Sequence, residues 1–349
     1  MHDAEMAQNS GISPSQTPSW QREWQESFRD SASLLAFLDL NPAHLPEQLA
    51  TSPAFPIRVP RAYASRMRKG DPADPLLRQV LALDSENIEH PGFVADAVGD
   101  AQAQVGPGVL RKYNGRALLV LTGVCAVHCR YCFRREYPYA RQAPSRAEWE
   151  QIYARLGADA SIDEILFSGG DPLSLSDSML RWHWEQALAL PHVRRVRIHT
   201  RLPLVLPNRV DNNLLEIITE LAARKPLYLV LHINHAREID EAVAEKARAL
   251  RAAGAILLNQ SVLLRGVNDS VEALEALSLR LLDTGILPYY LHQLDRVRGT
   301  QEFEVEEGRG LALIEGLRAR LSGYGVPKYV REIQGETSKT EVKKLRIEN

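Results

Sequence analysis

The stretch Cys125-Ala-Val-His-Cys129-Arg-Tyr-Cys132 contains every cysteine of this 349-residue chain, in the spacing C-x3-C-x2-C. Three cysteines within one short loop are a poor disulfide framework, because their number is odd and they lie too close together. Three thiolates on one loop can instead hold three irons of a [4Fe–4S] cube and leave the fourth iron open to a small chelating ligand. The spacing therefore predicts an iron–sulfur site with Cys125, Cys129 and Cys132 as its ligands.

Zinc is the alternative that this loop leaves open. Structural zinc normally has four protein ligands, and His128 could supply the fourth. His128 lies between two of the cysteines, however, where a tetrahedral arrangement would be awkward. A zinc- or cluster-binding regulator without catalytic activity is the corresponding alternative to an enzyme.

Around the cysteine loop, short apolar runs alternate with longer amphipathic stretches. The apolar runs predict six strands, at residues 117–122, 164–168, 196–200, 228–233, 255–261 and 288–292. The amphipathic stretches predict helices at about 145–157, 176–190, 211–224, 236–253, 270–284 and 307–322. Four of these helices begin at a plausible N-cap, namely Ser145, Ser176, Asp211 and Ser270.

The order of these elements predicts an α/β fold. The strands are rich in Val, Ile and Leu, as expected of a parallel sheet that helices cover. A closed barrel of this type has eight βα units, so six units predict a partial, open (β/α)6 TIM-like barrel. The chain then divides into a disordered leader (1–20), a mainly helical N-terminal region (21–108), the barrel (109–325) and a short C-terminal segment (326–349). In the N-terminal region, Trp20, Trp24 and Phe28 predict the apolar stripe of a helix over 20–40, and residues 76–83 look helical as well.

The composition excludes several classes of partner. A net charge of −2 lacks the basic excess that is usual in a nucleic-acid binder of this size. No run approaches the ~18 apolar residues that a membrane span needs. Residues 1–20 have neither the basic start nor the apolar stretch of an export signal. We therefore expect a cytoplasmic protein that binds neither nucleic acid nor a membrane.

Polar residues collect at one rim of the predicted barrel, where the carboxyl ends of the strands meet and where barrel enzymes carry their active sites. The cysteines follow the first strand, Ser168-Gly-Gly-Asp171 ends the second, and Thr200 and Arg201 end the third. The later strands end at His232 and Asn234, at Gln260, and at Gln293 and Asp295.

Two of these elements together resemble the radical S-adenosylmethionine superfamily. The cysteine spacing comes directly after the first strand, with Tyr131 before the last cysteine, and Ser168-Gly-Gly-Asp171 matches the glycine-rich motif of that superfamily. The resemblance implies a [4Fe–4S] cluster that cleaves S-adenosylmethionine. The residues assigned to S-adenosylmethionine are Ser168, Gly169, Gly170 and Asp171, and His232 and Gln260 at the same rim are expected to bind a cofactor as well.

Further stretches narrow the resemblance to the lysine 2,3-aminomutase family and extend it over roughly residues 70 to 345. They are Tyr113-Asn-Gly-Arg116, residues 259–269 and Tyr289-Tyr-Leu-His-Gln293. Members of this family use pyridoxal 5′-phosphate (PLP) beside the cluster and move the α-amino group of L-lysine to the β-carbon. The resemblance implies that this chain is an isomerase of the same type.

The resemblance also implies roles for single residues. Lys339 matches the lysine that binds PLP covalently, although only Gly335 remains of the family's glycine-rich approach to it, and Lys328 is a weaker candidate. Tyr113 and Arg116 match residues that hold the PLP phosphate, a role that suits a guanidinium group.

Substrate contacts follow in the same way. Arg134 matches the residue that binds the substrate carboxylate, for which a forked cation is well suited. Asp295 and Glu332 match an acidic pair that binds the distal ammonium group, which favours a basic amino acid as substrate. Glu332 replaces the usual Asp, and its extra methylene could shift the position or the preferred stereochemistry of the substrate.

The short form of the chain resembles the bacterial branch of the family that makes (R)-β-lysine for elongation factor P. This implies a functional link to that factor and its lysyl ligase, a reductant such as flavodoxin or ferredoxin, and a possible homo-oligomer. Two enzymatic alternatives stay open. An aminomutase for another basic amino acid shares every motif, whereas a radical enzyme without PLP, such as a methylase, would need neither Lys339 nor Arg116.

We predict that the protein binds iron and no structural zinc. The long fermentative members of the family carry extra cysteines that bind zinc, and this chain has Ser270 where one of them would be. Metal analysis after anaerobic iron–sulfur reconstitution should therefore find iron and sulfide without stoichiometric zinc. One zinc per chain would contradict the prediction.

Overall fold

The fold is built on one mixed sheet. The computed structural model of the protein describes residues 18–343, apart from residues 51, 52 and 54, so most of the predicted leader lies outside the described residues. Within the described part of the chain the sheet has ten strands: β1 (Gln104–Gly106), β2 (Val109–Leu110), β3 (Arg116–Thr122), β4 (Glu164–Gly169), β5 (Arg195–Thr200), β6 (Leu227–Leu231), β7 (Ile256–Val262), β8 (Leu287–His292), β9 (Lys328–Arg331) and β10 (Thr340–Glu341).

The strands lie in the sheet in the same order as along the chain. From β3 to β9 each strand runs parallel to its neighbour. At one edge β1 and β2 are antiparallel, and at the other β10 is antiparallel to β9. Because β1 and β10 are not neighbours in this sheet, the barrel is partial and open, as predicted.

The sheet is wider than predicted. β9 adds a seventh parallel strand beside β8, and it comes from the C-terminal segment (326–349) that the sequence set apart. This strand has only two buried residues, Tyr329 and Val330, which is too few for a periodic pattern to be recognised. β1 and β2 likewise extend the sheet across the predicted boundary at residue 108.

Helices connect the parallel strands, and all six helices predicted for the barrel are present. Each predicted N-cap accepts a hydrogen bond from a backbone N–H in the first turn of its helix. One helix begins later than predicted, at Glu241, because Asp240 caps it there. Among the described residues, no helix has the length and hydropathy of a membrane span. The helices of the described residues are α1 (Ser19–Gln25), α2 (Ser31–Phe37), α3 (Arg61–Ala64), α4 (Pro75–Arg78), α5 (Asp100–Ala103), α6 (Arg146–Gly157), α7 (Asp177–Leu188), α8 (Leu202–Val205), α9 (Asn212–Arg224), α10 (Glu241–Ala252), α11 (Val271–Asp283) and α12 (Glu307–Arg320).

Strand β5 shows how the sheet positions the site. Val196 and Ile198 are fully buried in the apolar core beneath the helices. Along β5 these buried residues alternate with partly buried ones, because successive side chains of a strand point to opposite faces of the sheet. Arg197 and His199 therefore face the interior of the barrel, where the polar residues collect.

The N-terminal region departs from the predicted helix over 20–40. Two short helices, α1 and α2, replace it, and the chain between them is extended at Phe28. Phe28 exchanges both backbone hydrogen bonds with Val59, at 2.9 and 3.0 Å. The side chain of Asp30 then accepts a hydrogen bond from the N–H of Ser33 and starts α2. This pairing joins residues that are distant in sequence, so local periodicity could not indicate it.

Two further parts of the N-terminal region also differ from the prediction. Trp20, placed in the leader, is buried in α1, and the guanidinium group of Arg209 lies 4.8 Å from its ring centroid. The ordered region therefore begins before residue 20. The run 76–83 is helical only over α4, whose N-terminus Asp74 caps.

The N-terminal region is not a separate unit, because its apolar core continues into the barrel. Leu34 and Leu77 belong to the same cluster of buried side chains as Leu119, Ile198 and Leu229 of the sheet. The predicted division at residue 108 thus marks a change of secondary structure within one core.

Buried ion pairs fix the N-terminal region to the cysteine loop. Glu86 accepts hydrogen bonds from Arg130 at 2.7 and 2.5 Å and from Arg135 at 2.7 Å. The Arg130 side chain is fully buried, and it also donates to the carbonyl oxygens of Phe55 and Pro56. The position of the loop therefore depends on one carboxylate that two arginines share.

Replacing Glu86 by Gln should lower the free energy of unfolding by about 3–5 kcal/mol, because it leaves two buried arginines without their acid. Urea denaturation of the two proteins measures the difference. The matched control is Glu150→Gln, since the Arg146–Glu150 pair is exposed and should contribute less than about 1 kcal/mol. Equal effects of the two substitutions would contradict the argument.

Candidate functional site

The cysteine loop starts directly after β3, at the rim of the barrel. All three thiols are free of disulfides, and the N–H of Cys132 donates to the carbonyl oxygen of Cys129 across a tight turn. His128 faces the N-terminal region instead, because its Nδ1 lies 2.9 Å from the carbonyl oxygen of Pro56 and its ring packs on Phe55. Among the described residues, no group of three or more His, Cys, Asp or Glu side chains is arranged to hold one shared metal ion.

The loop fits a cluster whose irons each take one thiolate. Burial raises the pKa of Cys125, and burial together with the neighbouring Cys129 raises the pKa of Cys132 to about 11. Such thiols are costly to ionise unless a metal supplies positive charge. The three side chains therefore suit a site that is completed by metal binding.

The Ser168–Asp171 motif packs tightly against the start of this loop. A Cβ atom on Gly169 would lie 2.4 Å from the carbonyl oxygen of Thr122, and one on Gly170 would lie 2.4 Å from that of Val124. Only glycine fits at these two positions. Backbone hydrogen bonds of 2.7 and 2.8 Å, from Gly170 to Thr122 and from Asp171 to Val124, hold the contact.

The Asp171 carboxylate is engaged within the protein. It accepts hydrogen bonds from the Thr200 hydroxyl and from the backbone N–H groups of Leu173, Arg201 and Leu202. Its position at the end of β4 thus anchors the end of β5. Of the four residues assigned to S-adenosylmethionine from the motif, Ser168 keeps a side chain directed at the charged site described next.

A run of alternating charges crosses the mouth of the barrel. The Arg134 Nε lies 2.6 Å from Asp100, and its Nη1 donates to Ser168 at 3.1 Å. Lys112 lies 2.7 Å from the other Asp100 oxygen and 3.6 Å from Glu332. The structure therefore brings together residues of the cysteine loop, the N-terminal region and the C-terminal segment.

Lys339 completes this run. Its Nζ lies 2.9 Å from Glu332, which also accepts a hydrogen bond of 2.7 Å from the Tyr113 hydroxyl. Burial acts to raise the pKa of Glu332, but Lys339 and the Tyr113 hydrogen bond hold it below its ordinary value. Lys328 is exposed on β9 and does not take part, so the structure favours Lys339 as the lysine of the site.

Asp295 follows β8 at the same mouth, and its pKa is shifted in the opposite direction from that of Glu332. Burial raises its pKa to about 7, and the nearby Glu332 and Asp100 add to this effect while Lys339 and Lys112 oppose it. A backbone bridge between Val94 and the loop at 296–298 holds the segment that carries it. Glu332 contributes to the raised pKa of Asp295, so the two carboxylates influence each other electrostatically at this mouth.

Arg116 and Tyr113 lie beside this acidic pair. The Arg116 guanidinium is 4.8 Å from the Tyr113 ring centroid. Among the described residues no carboxylate forms an ion pair with Arg116, whereas the neighbouring Arg197 is paired with Glu164 at 3.0 Å. An unpaired guanidinium group on the interior of the barrel fits an anionic group such as a phosphate.

Histidines complete the lining. His232 Nε2 lies 2.9 Å from the Tyr131 hydroxyl, and Gln260 Nε2 lies 2.6 Å from His292 Nε2. Burial holds the pKa of His232 at about 3, and burial and Lys339 hold the pKa of His292 well below its ordinary value. These imidazoles are therefore neutral. His199 is neutral for the same reason, and its buried Nε2 has no hydrogen-bond partner within the described protein.

Comparison with known proteins agrees with this geometry. Residues 119–277 match the model of the Radical SAM superfamily. The chain is 44% identical to the L-lysine 2,3-aminomutase of Escherichia coli over 93% of this chain and 95% of that protein. It is 40% identical to the enzyme of the same name from Haemophilus influenzae, over 92% and 94% of the two chains. The chain belongs to the L-lysine 2,3-aminomutase family.

A more distant member of the family aligns over a smaller share of both chains. The L-lysine 2,3-aminomutase of Clostridium subterminale is 35% identical over 80% of this chain and 67% of its own length. Family membership confirms the resemblance that the cysteine loop and the later motifs indicated.

Sequence reasoning missed several residues of the site. Asp100 and Lys112 connect Arg134 with Glu332, and His199 lines the interior, yet no motif points to any of them. Arg201 was noted at the end of a strand but given no role, although its Nη1 lies 2.7 Å from the sulfur of Cys129. The sequence offers no signal for these residues, because the role of each depends on a partner that is distant along the chain.

Replacing Asp295 by Asn should stabilise the protein at pH 8, and this gain should shrink as the pH falls toward 4. In the folded protein the carboxyl has a pKa of about 7, so between pH 4 and 7 the unfolded chain releases a proton that the folded chain retains. Ionisation thus favours the unfolded chain as the pH rises, and Asn removes this penalty. Thermal unfolding across this pH range measures it.

The control is Asp283→Asn, which changes an exposed carboxylate at the end of α11 and should leave the pH dependence unaltered. A stability gain for Asp295→Asn that is constant from pH 4 to pH 8 would show that the pKa of Asp295 is not raised.

Proposed function

We propose that this chain is a PLP-dependent radical enzyme that converts L-lysine to β-lysine. The observation that carries the proposal is that Arg134 begins the charged run, whereas Glu332 lies near its far end beside Lys339, and that Asp295 is a further buried acid at the same mouth. A basic amino acid has a carboxylate at one end, which suits Arg134, and an ammonium group at the other, which suits the two acids. Membership in the L-lysine 2,3-aminomutase family supports L-lysine as that amino acid.

The cysteine side of the site would hold the cluster. Cys125, Cys129 and Cys132 are the thiolates for three irons, and the Ser168–Asp171 motif packs beside them at the position for S-adenosylmethionine. When bound, the [4Fe–4S] cluster supplies the electron that cleaves S-adenosylmethionine and so produces the radical that removes a substrate hydrogen. His232 and Gln260 are the neutral hydrogen-bonding groups on the facing strands.

The opposite side would hold PLP. Lys339 is the attachment point, the unpaired Arg116 and the adjacent Tyr113 suit the phosphate, and the unpartnered Nε2 of His199 offers a further polar contact. When bound, PLP supplies a conjugated ring that stabilises the unpaired electron while the amino group migrates. Neutral histidines near Lys339 add no positive charge that would oppose its ammonium group.

Substrate binding would change the protonation of the site. Arg134 has donors left over after its contacts with Asp100 and Ser168, and it would bind the substrate carboxylate. The substrate ammonium stabilises the ionised form of Asp295, which therefore releases its proton near neutral pH. Lys112 and Asp100 hold the two ends of the site at a set separation, which would select for the length of the substrate.

The finer parts of the proposal concern the product and its use. The product is (R)-β-lysine and its destination is elongation factor P, through its lysyl ligase, as the resemblance of the sequence to the short bacterial branch of the family implies. A cytoplasmic location and a flavodoxin- or ferredoxin-type reductant belong to the same proposal. Glu332, with a longer side chain than Asp, makes an aminomutase for another basic amino acid the second candidate.

The test is an anaerobic assay of the reconstituted protein with L-lysine, S-adenosylmethionine, PLP and dithionite. We expect β-lysine, resolved from α-lysine by chiral chromatography, with the R form predominant. L-Ornithine and L-arginine in competition with lysine distinguish the second candidate. Cleavage of S-adenosylmethionine without any β-amino acid would overturn the proposal.

Asp295→Asn should lower kcat/KM for lysine at least roughly 30-fold, because the substrate ammonium then lacks one partner of a buried charge pair. The matched control is Glu307→Gln, which removes an exposed acid that pairs with Arg331 of β9 outside the site. The control should keep wild-type kinetics. Equal losses for the two variants would remove Asp295 from the substrate site.

A further inference from the structure

A buried arginine lies directly behind the cysteine loop. Arg201 follows β5, is 6% exposed, and its Nη1 lies 2.7 Å from the sulfur of Cys129 and 2.7 Å from the hydroxyl of Tyr131. In this contact a positively charged guanidinium group donates a hydrogen bond to a cysteine sulfur. Hydrogen bonds to a sulfur ligand and the charges near it are two of the ways in which a protein sets the potential of an iron–sulfur cluster.

The other terminal nitrogen of the guanidinium group, Nη2, forms an ion pair with a buried carboxylate. Arg201 Nη2 donates to Glu238 at 2.9 Å, to Gln79 at 2.8 Å and to the hydroxyl of Tyr63 at 3.2 Å. Glu238 is fully buried, and its other oxygen accepts hydrogen bonds from Gln79, from the N–H of Asn234 and from the N–H of His235. Both oxygens of the carboxylate are thus engaged in hydrogen bonds within the protein.

The backbone of Arg201 is anchored next to the cysteine loop. Its N–H donates to Asp171 at 2.8 Å, and the same carboxylate binds Thr200 and Leu202 on either side. Asp171 in turn is tied to the cysteine loop through Val124. One carboxylate, that of Asp171, therefore connects the backbone of Arg201 with the segment that begins the cysteine loop.

We propose that Arg201 sets the reduction potential of the cluster through its hydrogen bond to the sulfur of Cys129, and that Glu238 limits this effect. The inference rests on the proposed [4Fe–4S] site and adds a positioning residue to it. Reduction adds one electron to the cluster, from the 2+ to the 1+ core, and no bond breaks. The electron comes from a low-potential one-electron reductant.

The sign of the effect follows from the charges. A reduced cluster with three thiolates carries one more negative charge than the oxidised one, so a nearby cation favours the reduced state. Arg201 therefore raises the potential and makes reduction easier. Glu238 partly cancels that cation, so it should lower the potential.

Three variants test the two signs. Arg201→Gln should make the potential more negative, so that at the wild-type midpoint the ratio of reduced to oxidised clusters falls about tenfold, since hydrogen bonds to charged groups are worth more than neutral ones. Glu238→Gln should shift the midpoint the other way. Tyr63→Phe removes a neutral partner of the same guanidinium group and should leave the midpoint unchanged.

The measurement is an anaerobic redox titration of the reconstituted protein, followed by electron paramagnetic resonance of the reduced cluster. It is made without lysine, PLP or S-adenosylmethionine, so its outcome does not depend on aminomutase activity. If the activity proposal failed, the shift in potential would still be measured. Conversely, an active enzyme whose midpoint is the same in all variants would overturn this inference alone.

Arg201→Gln leaves Glu238 buried without its cation, and that variant could fail to hold a cluster. The double variant Arg201→Gln/Glu238→Gln leaves no unpaired buried charge, and it is compared with Glu238→Gln alone. Its midpoint should be the more negative of the two. Equal midpoints, with iron content and melting temperature as the only changes, would mean that Arg201 merely supports the loop.

Discussion

The alternating run Arg134–Asp100–Lys112–Glu332–Lys339 is the interaction that joins the separate parts of the barrel mouth. Its members come from the cysteine loop, from the N-terminal region and edge of the sheet, and from the C-terminal segment. Their side chains are between 4% and 23% exposed, so each charge depends on its neighbours for the solvation that it loses. Apolar packing of the short strands β9 and β10 could not position the C-terminal segment alone, because they bury few side chains.

Charge balance in the site explains why one acid titrates abnormally. Burial acts to raise the pKa of Asp100, but Arg134 and Lys112 lower it below its ordinary value, and Lys339 does the same for Glu332. Asp295 is the third acid in the group, and the available cations are already engaged by the other two. Burial is the main cause of its raised pKa, and the negative charges of Glu332 and Asp100 add to it, while Lys339 and Lys112 oppose it only in part.

The sequence predicted what depends on local pattern. The helices and their caps Ser145, Ser176, Asp211 and Ser270 follow from periodicity and from side chains a few residues apart. The break at Phe28 depends on a partner about thirty residues away, and β9 is too short to be periodic, so neither could be predicted. In the site, motifs identified the cysteines and suggested Arg134, Asp295, Glu332 and Lys339. Motifs did not identify Asp100, Lys112 and Glu238, because the role of each is defined only by a distant partner.

The Ser168–Asp171 motif has a structural consequence beyond its glycines. Its first residue accepts a hydrogen bond from Arg134, which follows the last cysteine. Its last residue accepts a hydrogen bond from the backbone N–H of Arg201, whose side chain contacts the sulfur of Cys129. Gly169 and Gly170 allow the motif to lie against Thr122 and Val124. Both arginines are therefore held by the same short stretch of backbone. The motif is thus the element that connects the cysteine loop with both arginines.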